Sequence, residues 1–262
     1  MSLPQSLSAA TATLEPEAEL KLRLDTGLTT GKPSAPELAG TTFGALAESA
    51  IDGAPSSAFP PEATDTSPRT AAIRAGVDSD PGFGAVMPPL YLSSNFSFEG
   101  FGEQRRYDYT RSGNPTRDVL AETLAELEGG ARAVVTSSGM SAIHLVLQLL
   151  EPGSTVVASY DCYGGTHRLL RALERRGQVE VRFADLTSPA ARAQALRGSV
   201  DLVWIETPSN PLLRITDLAA TAREAHALGA LVAVDNTFLS PALQRPLDFG
   251  ADLVVHSTTK YL

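Results

Sequence analysis

The sequence has few cysteines and no long apolar run, and each lack excludes a class of protein. Cys162 is the single cysteine among 262 residues, so no disulfide can form within the chain. One thiol is typical of a reducing compartment. No apolar run reaches the roughly 20 residues that a membrane span needs, and the N-terminus lacks the basic region and apolar stretch of a secretory signal. We therefore predict a cytoplasmic protein that makes no membrane contact.

Positive charge is also scarce. The chain has 21 Lys and Arg against 30 Asp and Glu, which gives a formal net charge of −9. Nucleic-acid binding needs a basic face, so no nucleic-acid partner is expected. The 4 histidines lack metal-ligand spacing, and we predict no metal site. The glycine-rich fingerprints of dinucleotide and nucleoside-triphosphate sites are absent as well.

Composition divides the chain into three parts. Residues 1–66 are dense in Ala, Ser, Thr, Pro and Glu, and we expect a disordered extension because such a stretch buries too little apolar surface. Residues 67–115 are rich in aromatics, Pro and Gly with little periodicity, and we expect an arm that contacts a neighbouring subunit. Residues 116–262 alternate regularly between strand and helix patterns.

This alternation predicts a three-layer α/β/α domain with a mostly parallel sheet. The predicted strands are short, apolar and non-alternating, as in a sheet that is covered on both faces. They lie at 134–135, 155–159, 179–183, 201–205, 230–234 and 252–255. The first helix is predicted to be capped by Thr116 and ended by Gly129. Further helices are predicted at about 143–150, 166–176, 189–197 and 216–228.

Polar, small or aromatic residues follow each predicted strand. Parallel strands bring such residues to one edge of the sheet, where open α/β sheets bind ligands. Asp235 ends an apolar strand, where a bare carboxylate is costly and needs a cationic partner. Ser138 and Gly139 open a helix whose free N–H groups suit a phosphate. Tyr163 can stack on a flat ring and Lys260 supplies an amine, which completes the parts of a pyridoxal 5'-phosphate (PLP) site.

Six ordered motifs carry a resemblance to a known family. They are DYTRSGNPTR from Asp108, SGMSAI from Ser138, DCYGGT from Asp161, ETPSNPL from Glu206, VDNTF from Val234 and HSTTKY from His256. The chain resembles the Cys/Met-metabolism family of PLP-dependent enzymes continuously from about residue 72 to residue 262. The resemblance implies the large domain of a fold type I PLP-dependent transferase, and residues 1–66 have no counterpart in it.

The resemblance implies roles for particular residues, although most of them taken singly would have an ordinary structural explanation. Lys260 is expected to hold PLP as a Schiff base and to move protons at the substrate carbons. Asp235 is expected to pair with the pyridine nitrogen, and Tyr163 to stack on the ring. The other expected cofactor-binding residues are Gly139, Met140, Ser257 and Thr259 at the phosphate, Asn210 near the ring hydroxyl, and Tyr109 and Arg111 at the phosphate of the adjacent subunit. Family members work as homotetramers built from two active dimers.

Within the family the chain is most similar to the cystathionine γ-synthases, through FEGFGE from Phe98 and NTFLSPALQ from Asn236. Gly165 stands where methionine γ-lyases carry a cysteine, and Arg168 stands where γ-synthases are expected to meet a distal substrate carboxylate. Ser112 replaces a second arginine of some γ-synthases, which leaves the acyl group open. The implied reaction joins cysteine to an O-acylated homoserine, most simply O-succinylhomoserine, in methionine biosynthesis and transsulfuration.

Two alternatives stay open. The first is a cystathionine γ-lyase or an O-acylhomoserine sulfhydrylase in the same fold. The second is an inactive chain that serves only as a subunit partner, because family members continue past the residue equivalent to Leu262 into a smaller domain with the arginine for the substrate α-carboxylate. We therefore expect a C-terminally truncated chain with weak or no activity alone.

Overall fold

A five-stranded parallel sheet forms the centre of the fold. The computed structural model describes residues 67–78, 80 and 82–262, so the predicted extension at 1–66 lies outside the described residues. The strands are β1 (Ser154–Ser159), β2 (Val179–Ala184), β3 (Leu202–Glu206), β4 (Leu231–Asp235) and β5 (Leu253–Val255). Their order in the sheet is β2-β1-β3-β4-β5, and every neighbouring pair is parallel.

Seven α-helices accompany the sheet in the described part of the chain. They are α1 (Pro68–Arg74), α2 (Pro115–Glu128), α3 (Gly139–Leu147), α4 (Gly164–Arg175), α5 (Pro189–Ala195), α6 (Leu218–His226) and α7 (Ser240–Leu243), and a 3₁₀ turn covers Pro246–Phe249. Side-chain caps begin several of them: Ser138 accepts the N–H of Ser141 for α3, and Asp217 accepts the N–H of Ala220 for α6. Gly129 ends α2 with φ +73°, a backbone conformation that favours glycine.

The core lies on both faces of the sheet. Successive residues of a strand point to opposite faces, so each buried strand contributes to two clusters. One cluster joins Val203, Ile205 and Val232 to residues of α5 and α6, and the other joins Leu202 and Trp204 to residues of α3 and α4. Helices thus cover both faces of an apolar parallel sheet, which confirms the predicted α/β/α layers.

Most predicted elements match the structure, and two details were wrong. The strands from β1 to β5 agree within one or two residues, but 134–135 is not a strand. Val134 is 73% exposed, and this two-residue run has no neighbouring strand with which to pair. Thr116 is not the cap of α2, because Asn114 accepts the N–H of Thr116 at 2.9 Å. The hydroxyl of Thr116 instead accepts the N–H of Tyr91 at 2.8 Å.

The described residues between α1 and α2 contain neither helix nor strand. Two isolated antiparallel bridges, Asn95 with Tyr109 and Gly100 with Glu103, are their only sheet-like contacts. Large apolar side chains are exposed here, among them Phe83 and Phe101. None of the helices within the described ranges is both long and apolar enough to cross a membrane.

Candidate active site

The candidate site lies at the carboxyl edge of the sheet, where three neighbouring strands end side by side. Glu206 is the last residue of β3 and Asp235 the last of β4, and the two are register partners. Asp235 is also paired with Val255, the last residue of β5. The segment that carries Ser257 and Lys260 therefore begins beside Asp235.

Thr237 links Asp235 to the segment after β5. Its backbone N–H and its hydroxyl donate to Oδ1 of Asp235, at 3.1 and 2.5 Å. The hydroxyl oxygen of Thr237 in turn accepts the backbone N–H of Ser257 at 2.9 Å. This chain of hydrogen bonds sets the position of Ser257 relative to the Asp235 carboxylate.

The N-terminus of α3 packs directly against Ser257. A Cβ on Gly139 would lie 2.8 Å from the Cβ and 3.2 Å from the Cα of Ser257, so only glycine allows this approach. Ser138 uses its side chain to accept the N–H of Ser141. Within the described residues the N–H groups of Gly139 and Met140 have no protein acceptor. They lie at the positive end of the helix beside the Ser257 hydroxyl, an arrangement that suits a phosphate.

The Tyr163 ring lies close to Met140 at the start of α3. A Cβ on Gly165 would lie 2.5 Å from a ring carbon of Tyr163 and 2.8 Å from the sulfur of Met140. Gly165 thus lets the Tyr163 ring and the Met140 side chain come together. The backbone N–H of Tyr163 donates to Oε2 of Glu206 at 2.6 Å, which ties the ring to the end of β3. Tyr163 is 44% exposed, and part of its surface is free to contact a ligand.

Two carboxyl groups are buried at this edge of the sheet. Burial raises the pKa of Asp235 above its ordinary value, against the hydrogen bonds from Thr237 that favour its charged form. Burial also raises the pKa of Glu206 to about 8, and the nearby Asp235 and Asp161 carboxylates act in the same direction. A cationic group placed against Asp235 would stabilise its ionised form, and a protonated pyridine nitrogen is such a group.

Cys162 precedes Tyr163 and is buried, with 5% of the residue exposed. Burial raises the pKa of this thiol to about 12, so the nucleophilic thiolate is not populated at neutral pH.

Lys260 and Thr259 lie in a turn after β5 and are both exposed. The backbone N–H of Lys260 donates to the carbonyl oxygen of Ser257 at 3.2 Å, which closes the turn. Among the described residues the Lys260 amine makes no hydrogen bond and no ion pair. The turn therefore holds the Lys260 backbone beside Ser257.

The remaining predicted residues lie around this centre to different degrees. Asn210 follows β3, and its backbone N–H favours the ionised form of Glu206. Arg168 is exposed on the second turn of α4, and its guanidinium would lie 3.2 Å from a Cβ on Gly164. Tyr109 and Arg111 contact each other, with the guanidinium carbon 5.1 Å from the ring centroid. No hydrogen bond within the described residues joins that pair to the strand ends.

Comparison with known proteins gives the same answer as the geometry. Residues 69–262 match the Cys/Met metabolism PLP-dependent enzyme family. The chain belongs to this family. It is 55% identical over 194 residues to cystathionine γ-synthase of Escherichia coli, covering 74% of this chain and 50% of the relative. It is 42% identical over 197 residues to cystathionine β-lyase of Lactococcus lactis, covering 75% of this chain and 52% of the relative.

A solved structure extends the comparison to three dimensions. Cystathionine γ-synthase from Xanthomonas oryzae, crystallised with aminoacrylate and cysteine, superposes with a TM-score of 0.74 at 63% identity. The match covers 76% of this chain and 51% of that one. The chain thus spans about half the length of the relatives that it matches.

PLP is the cofactor of the family, and the residues present fit it. The start of α3 offers the backbone N–H groups of Gly139 and Met140 beside Ser257, which suit an anion. Asp235 is a buried carboxyl group, and a cationic partner would offset the burial that raises its pKa. The roles of the individual residues in binding PLP remain predictions.

The sequence analysis missed two residues, Glu206 and Thr237, that hydrogen-bond to predicted site residues. Glu206 was recognised only as part of a motif, although it ends an apolar strand just as Asp235 does. The same criterion, a carboxylate at the end of a buried strand, would have identified it. Thr237 gave no such signal, because its role depends on the contact between Asp235 and the segment after β5.

Proposed function

We propose that the protein of which this chain forms at least a part catalyses γ-replacement on an O-acylated homoserine with cysteine, giving cystathionine. The single observation that carries the proposal is the identity of 55% and 63% to two cystathionine γ-synthases, against 41–46% to β-lyases. In the balanced reaction the Cγ–O bond of O-succinylhomoserine breaks, the thiol sulfur of cysteine bonds to Cγ, and the acyl group leaves as succinate with the thiol proton. Methionine biosynthesis and transsulfuration are the pathways that we propose for it.

We propose a separate role in PLP binding or proton transfer for each residue of the candidate site. Bound PLP would supply an electron sink for the substrate carbons. We propose that Lys260 bonds covalently to the cofactor and carries protons at the substrate carbons, and that Asp235 keeps the pyridine nitrogen protonated. Tyr163 would stack on the ring, and Asn210 would lie near its hydroxyl. The phosphate would lie against Gly139, Met140, Ser257 and Thr259.

The exposed residues suit contacts beyond this chain. We propose that Tyr109 and Arg111 bind the phosphate in an adjacent subunit of a homotetramer, since they are exposed on the segment before α2. Arg168 is exposed beside the start of α4 and would bind the distal carboxylate of the substrate. Residues 67–115 would then be the arm between subunits, and residues 116–262 the PLP-binding domain. A cytoplasmic location is part of the proposal and is supported by the single cysteine.

Covalent trapping tests the cofactor site directly. Lys21, Lys32 and Lys260 are the three lysines of the sequence, so peptide mapping has few positions to resolve. The chain is incubated with PLP, the lysine–PLP bond is reduced with borohydride, and the added mass is located. We expect the adduct at Lys260, with its loss in Lys260→Ala. An adduct confined to Lys21 or Lys32, or none in a folded chain, would reject the site.

Product analysis separates the synthase from the alternatives. The chain with PLP is given O-succinylhomoserine and either cysteine or sulfide, and in a separate reaction cystathionine alone. Cystathionine as the main product supports the proposal. Homocysteine from sulfide identifies a sulfhydrylase, and cleavage of cystathionine identifies a lyase. Absence of all three, with the Lys260 adduct present, favours a chain that acts only as a subunit partner.

A further inference from the structure

A second polar cluster lies behind the site, at Glu128. This residue ends α2, and its side chain is 6% exposed. Oε1 of Glu128 accepts a hydrogen bond from Nδ2 of Asn236 at 2.8 Å and lies 2.5 Å from Nε2 of His256. The side chain of His256 is 7% exposed. The two carboxylate contacts come from the residues directly after β4 and β5.

The position of Glu128 is unfavourable for stability alone. A carboxylate at the C-terminal end of a helix meets the negative end of the helix dipole. Oε2 of Glu128 and Nδ1 of His256 are buried without a protein partner in the described region. Buried pairs of this kind are weak evidence for a gain in stability, and partly satisfied networks cost free energy. Their presence calls for another explanation.

Side chains alternate between the two sides of an extended segment, so this cluster lies on the opposite side of the chain from the candidate site. Neighbouring residues of an extended segment point to opposite sides, so Asp235 and Asn236 face different ways, as do Ser257 and His256. On the site side Thr237 joins Asp235 to Ser257. On the far side Glu128 joins Asn236 to His256.

Asn236 is held firmly in this arrangement. It is fully buried, and its N–H donates to the carbonyl oxygen of Val255 at 2.9 Å. Its side-chain amide exchanges hydrogen bonds with Gln244, donating to the backbone oxygen at 2.8 Å and accepting from Nε2 at 2.9 Å. The position of Asn236 is therefore fixed by several hydrogen bonds. Glu128 contacts both Asn236 and His256, the residue that precedes the turn of Lys260.

We propose that Glu128 is a positioning residue of the cofactor site, which acts through His256 and Asn236 to fix the turn of Lys260 relative to Asp235. The inference rests on the proposed function, because it takes Lys260 and Asp235 as the groups that hold PLP. It assigns to His256 the alignment of this turn.

The first test follows the turn itself without PLP. Amide hydrogen exchange over residues 256–260 is compared in the wild-type chain, Glu128→Ala, Glu128→Gln and Glu126→Gln. Glu126 is exposed on the same helix, so its substitution makes the same chemical change away from the cluster. We expect roughly tenfold faster exchange in Glu128→Ala, since two buried donors lose their acceptor. Glu128→Gln keeps an acceptor oxygen and should recover most of the protection, and Glu126→Gln should match wild type.

The second test uses the PLP-loaded chain at saturating PLP. The wavelength and the pH midpoint of the yellow absorbance band report the surroundings of the lysine–PLP bond, and a residue that only stabilised the fold would leave both unchanged. We expect both to shift in Glu128→Ala and to return toward wild type in Glu128→Gln. Should Glu128→Ala fail to fold, Glu128→Gln is compared with wild type, and we expect a smaller shift of the same sign.

The two proposals fail in different ways. Unchanged exchange at 256–260, or an unchanged absorbance band in a folded Glu128 variant, overturns the role of Glu128. A wild-type chain that gives no borohydride adduct at Lys260 overturns the cofactor site, whatever the exchange experiment shows.

Discussion

Glu206 makes the stability of the fold depend on pH in an unusual direction. Its carboxyl group is 6% exposed, and burial raises its pKa from 4.5 to about 8. The unfolded chain releases this proton near the ordinary value, whereas the folded chain keeps it until about pH 8. The folded state therefore binds more protons across this window, and the free energy of unfolding falls as pH rises through it.

The size of the effect follows from the shift. Each pH unit inside the window costs at most about 1.4 kcal/mol. Between pH 5.5 and pH 8 this group alone removes roughly 2–3 kcal/mol of stability. Above the folded-state pKa its contribution is constant. Burial also raises the pKa of Asp235. Asp235 therefore adds to the same trend in the wild-type chain and in the Glu206→Gln variant.

Glu206→Gln isolates the contribution of this carboxyl group. Glutamine has the same shape and keeps an oxygen that can accept the N–H of Tyr163, which is bonded at 2.6 Å in the wild-type chain. We expect the PLP-free variant to lose roughly 2–3 kcal/mol less stability than wild type between pH 5.5 and pH 8. Urea unfolding followed by circular dichroism at several pH values measures this. Glu180→Gln, at an exposed position of β2, is the matched control. An equal slope in Glu206→Gln and wild type would refute the reasoning.

Two further substitutions test the cofactor side of the site. Gly139→Ala forces a Cβ to 2.8 Å from Ser257, and we expect PLP affinity to fall by roughly 1–3 kcal/mol in a fluorescence titration. Gly164→Ala also opens a helix but meets only the movable guanidinium of Arg168, so it should bind PLP like wild type. Asp235→Asn removes a buried ionisable group and keeps an acceptor for Thr237, so the PLP-free chain should resist urea better at pH 7.5 while binding PLP more weakly. Equal PLP affinity in Asp235→Asn and wild type would contradict the pairing with the pyridine nitrogen.

The strands could be predicted because their pattern depends on burial alone. Both faces of β3 and β4 are covered, so nearly every position is apolar and the runs stand out in the sequence. The polar ends of those runs placed Asp235 at the end of a strand, where the structure has it. The pair Val134 and Val135 shows the limit of this reasoning, since two apolar residues predict a strand only if a neighbouring strand pairs with them.

Contacts between distant segments could not be predicted in the same way. Glu128 and His256 are 128 residues apart in the chain, and nothing local in either one indicates the other. The approach of Gly139 to Ser257 likewise depends on how α3 packs beside β5. Local pattern predicted where the strands end, and tertiary packing decided which of the residues at those ends touch.

Asn114 both caps α2 and contacts the segment before it, and two substitutions can separate these contributions. Its Oδ1 caps α2 by accepting the N–H of Thr116, while its Nδ2 donates to the carbonyl oxygen of Tyr91 at 3.1 Å and to the hydroxyl of Thr110 at 3.0 Å. Asn114→Asp keeps the cap and loses both donations to the segment before α2. Asn114→Ala loses the cap as well, which costs a further ~1 kcal/mol.

We expect Asn114→Asp to leave the stability of α2 near wild type and to speed amide exchange over residues 91–112, the segment that presents Tyr109 and Arg111. Ser188→Ala, which removes the cap of α5, should lower helix stability without changing exchange in that segment. Exchange over 91–112 that is as slow in Asn114→Asp as in wild type would show that this segment is held by other contacts. The order of the segment that carries Tyr109 and Arg111 would then not depend on Asn114, the cap of α2.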